Sequence, residues 1–403
     1  MLFLLPAMLL TTPVSVGLVE VVLLLGVVTL PLPLWRHHCQ HAALLATARF
    51  VAAAFLLSFL VAMISLMTTG FDPRFIENPS KMVLALFGIS MILMLRPDPR
   101  WFWLGLFCGL MGAIGFALFQ RYGLMMPRAE GFSMPITFGN LAMAMALMAL
   151  AAIQQFSRTR WAALPYLAFF AGVTASILSG SRGGWLALLL SFVPFYSYGR
   201  EALGRRTLLI VIASIALLGT AVIVPQTGVL GRLTDVSREL TLYSNGNPDS
   251  SVGARLEMWK GAWAMFIEHP ITGVGRANFH LGLNRLIARG DINAAMHGYY
   301  HAHNELLNAL ATQGLLGAAA LIALYAAPLR FFTRLLRMPG LHRPYALAGV
   351  MLVLSFIDFG LTQVMFAHHA SSSFYALTVC ILVGLCLQEQ RRAATALMPS
   401  HPA

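Results

Sequence analysis

The sequence predicts an all-α protein that crosses a membrane about twelve times, and three observations support this fold class. Of the 403 residues, 58% are hydrophobic and only 10% are charged, whereas soluble domains carry about 25% charged residues. The apolar residues fall into runs close to the ~20 residues that a membrane-spanning helix needs. One long polar segment, residues 225–305, interrupts these runs late in the chain.

The apolar runs define the predicted spans in order. Thr11-Thr12-Pro13 separates the first two runs, so counting residues 1–12 as the start of a kinked first helix reduces the total to eleven. The N-terminus lacks the positive start of a signal peptide, and we expect it to be retained. The chain then divides into membrane helices (1–224), a loop domain (225–305) and membrane helices with a tail (306–403). The runs are 1–12, 16–34, 42–67, 81–95, 101–119, 132–153, 161–179, 183–198, 207–224, 306–328, 344–366 and 371–388.

The positive charges predict the orientation of the chain. With twelve spans, fifteen of the 27 Lys and Arg residues fall in short loops and tails on one side, and five fall in short loops on the other. Cytoplasmic loops carry the excess of these residues, so both termini are predicted to be cytoplasmic and the long segment periplasmic. An eleven-span chain would have its N-terminus outside and would still have the long segment outside. The net charge of +12 is thus topological, and membrane lipids rather than nucleic acid are the expected partners.

The long polar segment is predicted to be partly helical. Leu256, Trp259, Trp263, Phe266 and Ile267 repeat at helical spacing within residues 254–269, and Pro270 follows. An apolar face of this kind would lie along the membrane surface or pack on the bundle. The segment contains no cysteine, so we expect no disulfide framework in it.

A glycine-rich turn, Ser179-Gly180-Ser181-Arg182-Gly183-Gly184-Trp185, joins two apolar runs on the predicted outer side. Gly183 and Gly184 would let backbone N–H groups approach a ligand at a helix start, and with Arg182 they form a candidate anion site. A tight helical hairpin with Arg182 reaching lipid headgroups explains the same residues. Arg255 would supply a second guanidinium to such a site, or it is a solvated charge near a helix end. Three more cations lie near outer span ends: Lys81, Arg121 and Arg128.

The chain re-enters the membrane through Tyr299-Tyr300-His301-Ala302-His303-Asn304-Glu305. His303 is the candidate general base, because a neutral imidazole takes a proton readily near neutral pH. His301 would face elsewhere on a helix, and Glu305 would orient an imidazole or an acceptor. A plain helix start in headgroup water, capped by Asn304 or His303, explains the same residues.

Two acids lie within apolar runs, Glu20 and Asp358. Intramembrane acids often have a functional role, and packing against a polar neighbour explains them equally well. The acids of the long segment show no close pair of carboxylates of the kind that holds a divalent cation. We therefore expect no metal site, and we expect arginine to neutralise a phosphate leaving group.

These residues give the chain a resemblance to the bacterial O-antigen ligases, within the wider O-antigen ligase and polymerase superfamily. The hydropathy profile resembles that family over nearly the whole chain. Three features carry the resemblance: the turn at 179–185, the loop pattern Arg255, Trp259, Pro270, Gly273, Gly275 and Phe279, and His303-Asn304 followed after nine residues by Gly314-Leu315-Leu316-Gly317. The third spacing is the most specific to ligases.

The resemblance implies a GT-C-like, metal-independent glycosyltransferase of the bacterial inner membrane, with its active site facing the periplasm and no cofactor. Such enzymes transfer a polysaccharide from undecaprenyl diphosphate to lipid A–core oligosaccharide and invert the anomeric carbon. By this resemblance, Arg182 and Arg255 hold the diphosphate and His303 activates the acceptor hydroxyl. The other candidate substrate-binding residues are Gly183, Gly184, His301, Asn304, Glu305, Lys81, Arg121 and Arg128.

Other functions fit parts of the sequence. Arg128 and Gly139 are separated by ten residues, a spacing associated with the polymerases of this superfamily, and we interpret its single occurrence as coincidence. A polymerase or a protein O-oligosaccharyltransferase would share the donor site and differ in the acceptor. A transporter of lipid-linked sugars would need no base at the outer face and often shows inverted repeats, which the sequence does not display.

The charge bias generates a topology prediction. In a variant without native cysteines, Asn247→Cys should react with a membrane-impermeant maleimide added to intact spheroplasts, because residue 247 is predicted to be periplasmic. Arg391→Cys should react only after the membrane is opened. Labelling of Asn247→Cys only from the cytoplasmic side would contradict the orientation.

Overall fold

The computed structural model describes residues 1–203, 208–210, 212–213, 216, 219–220 and 229–396, and these residues form helices and loops without a strand. The predicted run 207–224 lies largely outside the described residues. The helices are α1 (Leu4–Met8), α2 (Ser15–Thr29), α3 (Pro31–Gln40), α4 (Ala42–Ala46), α5 (Arg49–Thr69), α6 (Glu77–Leu95), α7 (Arg100–Leu118), α8 (Pro135–Ala151), α9 (Ile153–Phe156), α10 (Leu164–Leu178), α11 (Trp185–Leu203), α12 (Val229–Ser244), α13 (Ser251–Glu268), α14 (Phe279–Ala288), α15 (Glu305–Leu336), α16 (Arg343–Gly360) and α17 (His369–Ala396).

Six helices among the described residues are long and apolar enough to cross a membrane: α5, α6, α7, α15, α16 and α17. The pair α2 and α3, bent by 81° at its break, would count as a seventh span. Helices α8 and α10 are apolar but shorter, and so is the Trp185–Tyr198 part of α11. The prediction of a polytopic all-α protein is therefore confirmed, and the total of twelve spans stays a prediction.

The first apolar run is not a straight span. Residues 1–12 contain only the five-residue helix α1, which rises about 7.5 Å at 1.5 Å per residue. The hydrocarbon core is ~30 Å thick. Helix α1 instead packs against α7, where a Cβ on Gly109 would lie 2.0 Å from the Pro6 carbonyl oxygen.

Helix α8 lies at the centre of the bundle. Every residue from Thr137 to Ala151 is buried, and α8 packs mainly against α10 and α16. Small residues permit the α8–α10 contact, because a Cβ on Gly172 would lie 2.7 Å from Ala146 Cβ. Small residues at such interfaces are typical of membrane helices, which gain van der Waals contact by close approach.

Hydrogen bonds fix both ends of the parallel pair α6 and α17. At one end Asn78 Nδ2 donates to the Ala367 carbonyl at 2.9 Å, and at the other Gln388 Nε2 donates to the Pro97 carbonyl at 2.9 Å. The two intramembrane acids also have polar partners. Glu20 Oε1 accepts from Ser373 Oγ at 2.7 Å, and Asp358 Oδ2 accepts from the Ala187 N–H at 2.8 Å. Both acids thus pack against polar groups of neighbouring helices.

Helices α12, α13 and α14 form the described part of the loop domain, which has its own apolar core. The predicted helix is present as α13 and ends before Pro270. The face of α13 that is buried against the rest of the protein differs from the predicted apolar face, since Trp263 and Ile267 are 52% and 61% exposed while Met258 and Ala262 are buried. The reason is Gly261, which lets α14 come close: a Cβ there would lie 2.9 Å from Leu283 Cδ1.

The loop domain is attached to the bundle at a break in α15. Gly314 has non-helical angles (φ 62°, ψ −152°) inside this helix, so nearby backbone groups lose their intrahelical partners. The segment 270–275 replaces them: the N–H groups of Val274 and Gly275 donate to the Ala311 and Thr312 carbonyls at 2.9 and 3.0 Å, and the Leu315 N–H donates to the Pro270 carbonyl at 2.8 Å. Broken helices persist in membrane proteins when protein groups satisfy the freed backbone in this way.

This attachment generates a stability prediction. Gly273 has φ 65°, and a Cβ there would lie 2.4 Å from the Gln313 backbone nitrogen. Gly290 has φ 79° and open space around the Cβ position. Gly273→Ala should therefore lower the melting temperature of the purified protein more than Gly290→Ala does. The difference measures the cost of overpacking at the attachment, and overpacking typically lowers the free energy of unfolding by ~1–3 kcal/mol. Equal melting temperatures would contradict this account.

Candidate active site

A cavity of about 450 Å³ lies between the bundle and the loop domain and is lined by three arginines. We call it the arginine cavity. Arg128, Arg182 and Arg255 line it together with Glu239, so guanidinium groups outnumber carboxylates. The remaining wall comes from the turn at 180–183, Thr362 and residues of α8, α12 and α13. An excess of guanidinium groups in a partly enclosed space favours an anion with several oxygens.

The turn before α11 carries Arg182 and is held by several contacts. Arg128 Nε donates to the Ser179 carbonyl at 2.7 Å, and Ser181 Oγ donates to Asn140 Oδ1 at 3.1 Å. Asp358 Oδ2 accepts from the backbone N–H of the third residue of α11, which satisfies one of the free N–H groups of that helix start. Arg182 is thus presented by a fixed turn rather than by a loose loop.

The glycines of this turn are required by packing as well as by the cavity. A Cβ on Gly183 would lie 2.5 Å from Thr362 Oγ1, and one on Gly184 would lie 2.8 Å from Asn140 Oδ1. Gly183 lines the arginine cavity and Gly184 does not. The two interpretations of the turn, an anion site and a tight hairpin, therefore describe one structure.

Arg255 comes from the loop domain, near the start of α13. This start is capped twice: Ser250 Oγ accepts from the Gly253 N–H at 3.0 Å, and Glu239 Oε2 accepts from the Val252 N–H at 2.8 Å. Burial lowers the pKa of the Arg255 guanidinium, and the nearby Glu239 carboxylate opposes this shift. Because an arginine stays protonated even when partly buried, Arg255 brings a positive charge to the cavity.

The backbone at His303 is strained and is held on both sides. His303 has φ 49°, a left-handed conformation that costs a residue with a Cβ about 1–3 kcal/mol. Trp259 Nε1 donates to the Ala302 carbonyl at 3.0 Å on one side. On the other side Asn304 caps α15, since its Oδ1 accepts from the Leu307 N–H at 3.0 Å. Such strain is common at functional sites, where the surroundings over-determine one geometry.

Gln363 fixes the His303 ring, and no sequence motif had pointed to this residue. Gln363 is 1% exposed, and its Oε1 lies 2.7 Å from His303 Nδ1. The Val364 N–H donates to the same oxygen at 3.3 Å, which assigns the amide orientation. His303 Nδ1 must then carry the proton and donate it to Gln363. Nε2 is left with a lone pair, the state that a general base needs.

Neighbouring groups keep the His303 ring neutral. The pKa of His303 is lowered to about 4, mainly by burial and then by the nearby His301, with smaller contributions from Arg255 and His368, while the hydrogen bond to Gln363 acts in the opposite direction. The rings of His301 and His303 lie 4.3 Å apart, centroid to centroid. Burial also lowers the pKa of His368 to about 4, and Gln363 Nε2 lies 3.2 Å from His368 Nε2. All three rings are therefore uncharged at neutral pH.

The other predicted residues divide into near and distant groups. Glu305 lies beside the site, and its Oε2 accepts from the Phe366 N–H at 3.1 Å. Lys81 does not line the arginine cavity: it is buried in α6 and pairs with Glu77 at 3.0 Å. Arg121 also lies outside, and its Nη1 donates to the Met126 carbonyl at 2.6 Å. Lys81 and Arg121 thus have local structural partners.

The spacing of Arg128 and Gly139 has a structural reason. Arg128 binds the Ser179 carbonyl, and a Cβ on Gly139 would lie 2.1 Å from Ser179 Oγ. Both residues act on the turn that carries Arg182. Among the described residues no group of three His, Cys, Asp or Glu side chains is placed to hold a metal ion, and metal independence stays a prediction.

Comparison with known proteins finds a family model and two relatives that match parts of the chain. A family model described as O-antigen ligase matches residues 166–322, the region that contains Arg182, Arg255 and His303. An uncharacterized protein from Haemophilus influenzae (strain ATCC 51907 / DSM 11121 / KW20 / Rd) is 25% identical over 340 residues, which cover 82% of this chain and 84% of that one. An O-antigen ligase from Escherichia coli (strain K12) is 26% identical over 156 residues, which cover 38% of this chain and 35% of that one.

The family match and the described spans agree with the resemblance that the sequence motifs indicated. The chain is a polytopic membrane protein whose residues 166–322 match the O-antigen ligase family model.

Proposed function

We propose that this protein transfers a polysaccharide from undecaprenyl diphosphate to lipid A–core oligosaccharide at the periplasmic face of the bacterial inner membrane. The observation that carries the proposal is that Arg255, which lines the arginine cavity, lies close enough to His303 to lower its pKa, although His303 itself does not line that cavity. The family match supports glycosyl transfer. The donor, the acceptor and the roles of individual residues are the parts that experiments must test.

The proposed reaction is one inverting displacement. An acceptor hydroxyl oxygen bonds to the anomeric carbon of the donor while the bond from that carbon to the diphosphate oxygen breaks. The hydroxyl proton passes to His303 Nε2, and the diphosphate leaves with the bonding electron pair. Arg182 and Arg255 neutralise the charge that grows on this leaving group.

The proposed reaction needs positive charge at the leaving diphosphate and a neutral imidazole at His303. The diphosphate gains negative charge as the bond breaks, so guanidinium groups bind it more strongly in the transition state than in the ground state. His303 needs the opposite environment, since a general base must be neutral before transfer. Burial and the positive charge of Arg255 keep its pKa low, so the same arginine would hold the donor and keep the base unprotonated.

A polymerase remains the second candidate, because the family match supports transfer of the ligase or the polymerase type. It would use the same donor and a second lipid-linked oligosaccharide as acceptor. Reconstitution with purified lipid-linked donor decides between them. Ligation requires product on lipid A–core, and polymerisation requires a lengthened lipid-linked chain. A protein O-oligosaccharyltransferase would require a protein acceptor. A transporter would move the donor across the membrane without transferring its saccharide.

Separate roles for the arginines and the histidine predict different defects. Arg182→Ala or Arg255→Ala should weaken donor binding and slow transfer, because a charge-assisted hydrogen bond contributes about 1.5–3 kcal/mol. His303→Ala should keep donor affinity and lose turnover by about 10²–10⁴-fold. Donor KM and kcat in proteoliposomes measure both effects.

Arg285→Ala is the matched control for these variants, because Arg285 is an exposed arginine of the loop domain that does not line the arginine cavity. It should leave donor KM and kcat near wild type. A folded His303→Ala variant that transfers at the wild-type rate would show that the base is another residue.

Gln363 predicts a change in pH dependence. For the wild type, kcat/KM should stay flat from pH 7.5 to 5.5, because the His303 pKa is lowered to about 4. An ordinary imidazole would be about 90% protonated at pH 5.5. Gln363→Glu places a carboxylate against Nδ1, which stabilises the imidazolium and should raise the pH at which activity falls.

Gln363→Met should lower kcat about tenfold, equivalent to one lost hydrogen bond, without moving donor KM. A purely structural role would instead lower thermal stability in both variants and leave the shape of the pH profile unchanged. That result would remove Gln363 from the mechanism.

A further inference from the structure

A second cavity lies on the His301 side of the pair formed by His301 and His303. It encloses about 450 Å³ and is lined by the side chains of Tyr300, His301, His280, Arg276 and Glu305, among others. We call it the tyrosine cavity. His301 lines the tyrosine cavity, and Thr362, which precedes the glutamine that holds His303, lines the arginine cavity. The His303 ring, which lines neither cavity, lies 4.3 Å from the His301 ring, so the two rings connect the tyrosine cavity to the segment that borders the arginine cavity.

Two polar atoms at the tyrosine cavity lack partners within the described part of the chain. Arg276 Nε and His301 Nε2 are both buried without a hydrogen bond. Arg276 is otherwise anchored, since its backbone N–H donates to Ser65 Oγ at 3.0 Å and its Nη1 donates to Gln313 Oε1 at 3.2 Å. Buried polar groups without partners are rare and unfavourable. Hydroxyl groups, which both donate and accept, would satisfy the two atoms together.

The mouth of the tyrosine cavity carries an aromatic pair. Tyr300 is 68% exposed, and its ring lies 5.2 Å from the His280 ring. Nothing in the apolar core explains a tyrosine so exposed beside a cavity. An aromatic ring with a polar tip matches a sugar ring, which presents C–H groups on its faces and hydroxyls at its edge.

The charges distinguish the two cavities. Three arginines and one glutamate line the arginine cavity, whereas two arginines and two acids line the tyrosine cavity: Arg74, Arg276, Asp72 and Glu305. Arg74 and Asp72 are already paired at 2.8 Å. A diphosphate would prefer the cavity with excess positive charge. A ligand rich in hydroxyl groups and poor in charge would fit the balanced cavity.

We propose that the tyrosine cavity binds the saccharide of the acceptor, with Tyr300 and His280 packing on a sugar ring and Arg276 and His301 hydrogen-bonding its hydroxyls. This inference rests on the proposed function. It places acceptor and donor on opposite sides of His303, so the attacking hydroxyl approaches from the tyrosine cavity. The donor diphosphate stays in the arginine cavity.

The test measures acceptor saturation at fixed donor concentration. Tyr300→Ala should raise the acceptor KM about 3- to 10-fold, the loss expected for one aromatic contact, and leave donor KM unchanged. Tyr122→Ala is the matched control, because Tyr122 is 66% exposed and lines neither cavity. The double variant Tyr300→Ala/His280→Ala should raise the acceptor KM further. Binding of purified lipid A–core to the enzyme in nanodiscs without donor should weaken in the same order.

The outcomes separate this inference from the proposed function. If the wild type extends a second lipid-linked oligosaccharide and not lipid A–core, ligation is wrong, and the KM for that oligosaccharide tests the tyrosine cavity instead. An unchanged acceptor KM in both variants overturns the inference while transfer stands. A raised donor KM, or no saturable binding of either acceptor by the wild type, also overturns it.

Discussion

The backbone hydrogen bonds between residues 270–275 and the break in α15 hold the two halves of the site together. Without the break at Gly314 the carbonyls of Ala311 and Thr312 would stay inside the helix, and the loop domain would have no backbone groups to pair with there. Arg255 and Trp259 belong to the loop domain, whereas Arg182 belongs to the bundle. The distance between the two guanidinium groups therefore depends on this attachment.

The same attachment sets the conformation of the base. Trp259 anchors the residue before His303, and α15 begins immediately after His303 with Asn304 as its cap. Gln363, from the segment between α16 and α17, then fixes the tautomer. One imidazole is thus held by the loop domain, by its own helix and by a third segment. This arrangement limits ring rotation and keeps Nε2 available.

Charge is distributed unevenly around this imidazole. Positive charge is concentrated at the arginine cavity, and the tyrosine cavity is balanced. Arg255 is also one of the groups that lower the pKa of His303, so under the proposed function one residue would contribute both to donor binding and to keeping the base neutral. Mutation of Arg255 would therefore affect both, and the Gln363 variants change the base without touching the arginines.

The sequence by itself determined the fold class, because the apolar composition and the length of the apolar runs both indicate a polytopic helical membrane protein. Local motifs also identified Arg182, Arg255 and His303, because each lies in a distinctive short pattern. The tertiary structure decided which candidates meet: it brought Arg128 to the cavity and left Lys81 and Arg121 outside. It also revealed Gln363, Arg276 and the exposed Trp263 face of α13. These depend on packing between segments far apart in the chain, and hydrophobic periodicity records only how polar each position is, not which neighbour covers it.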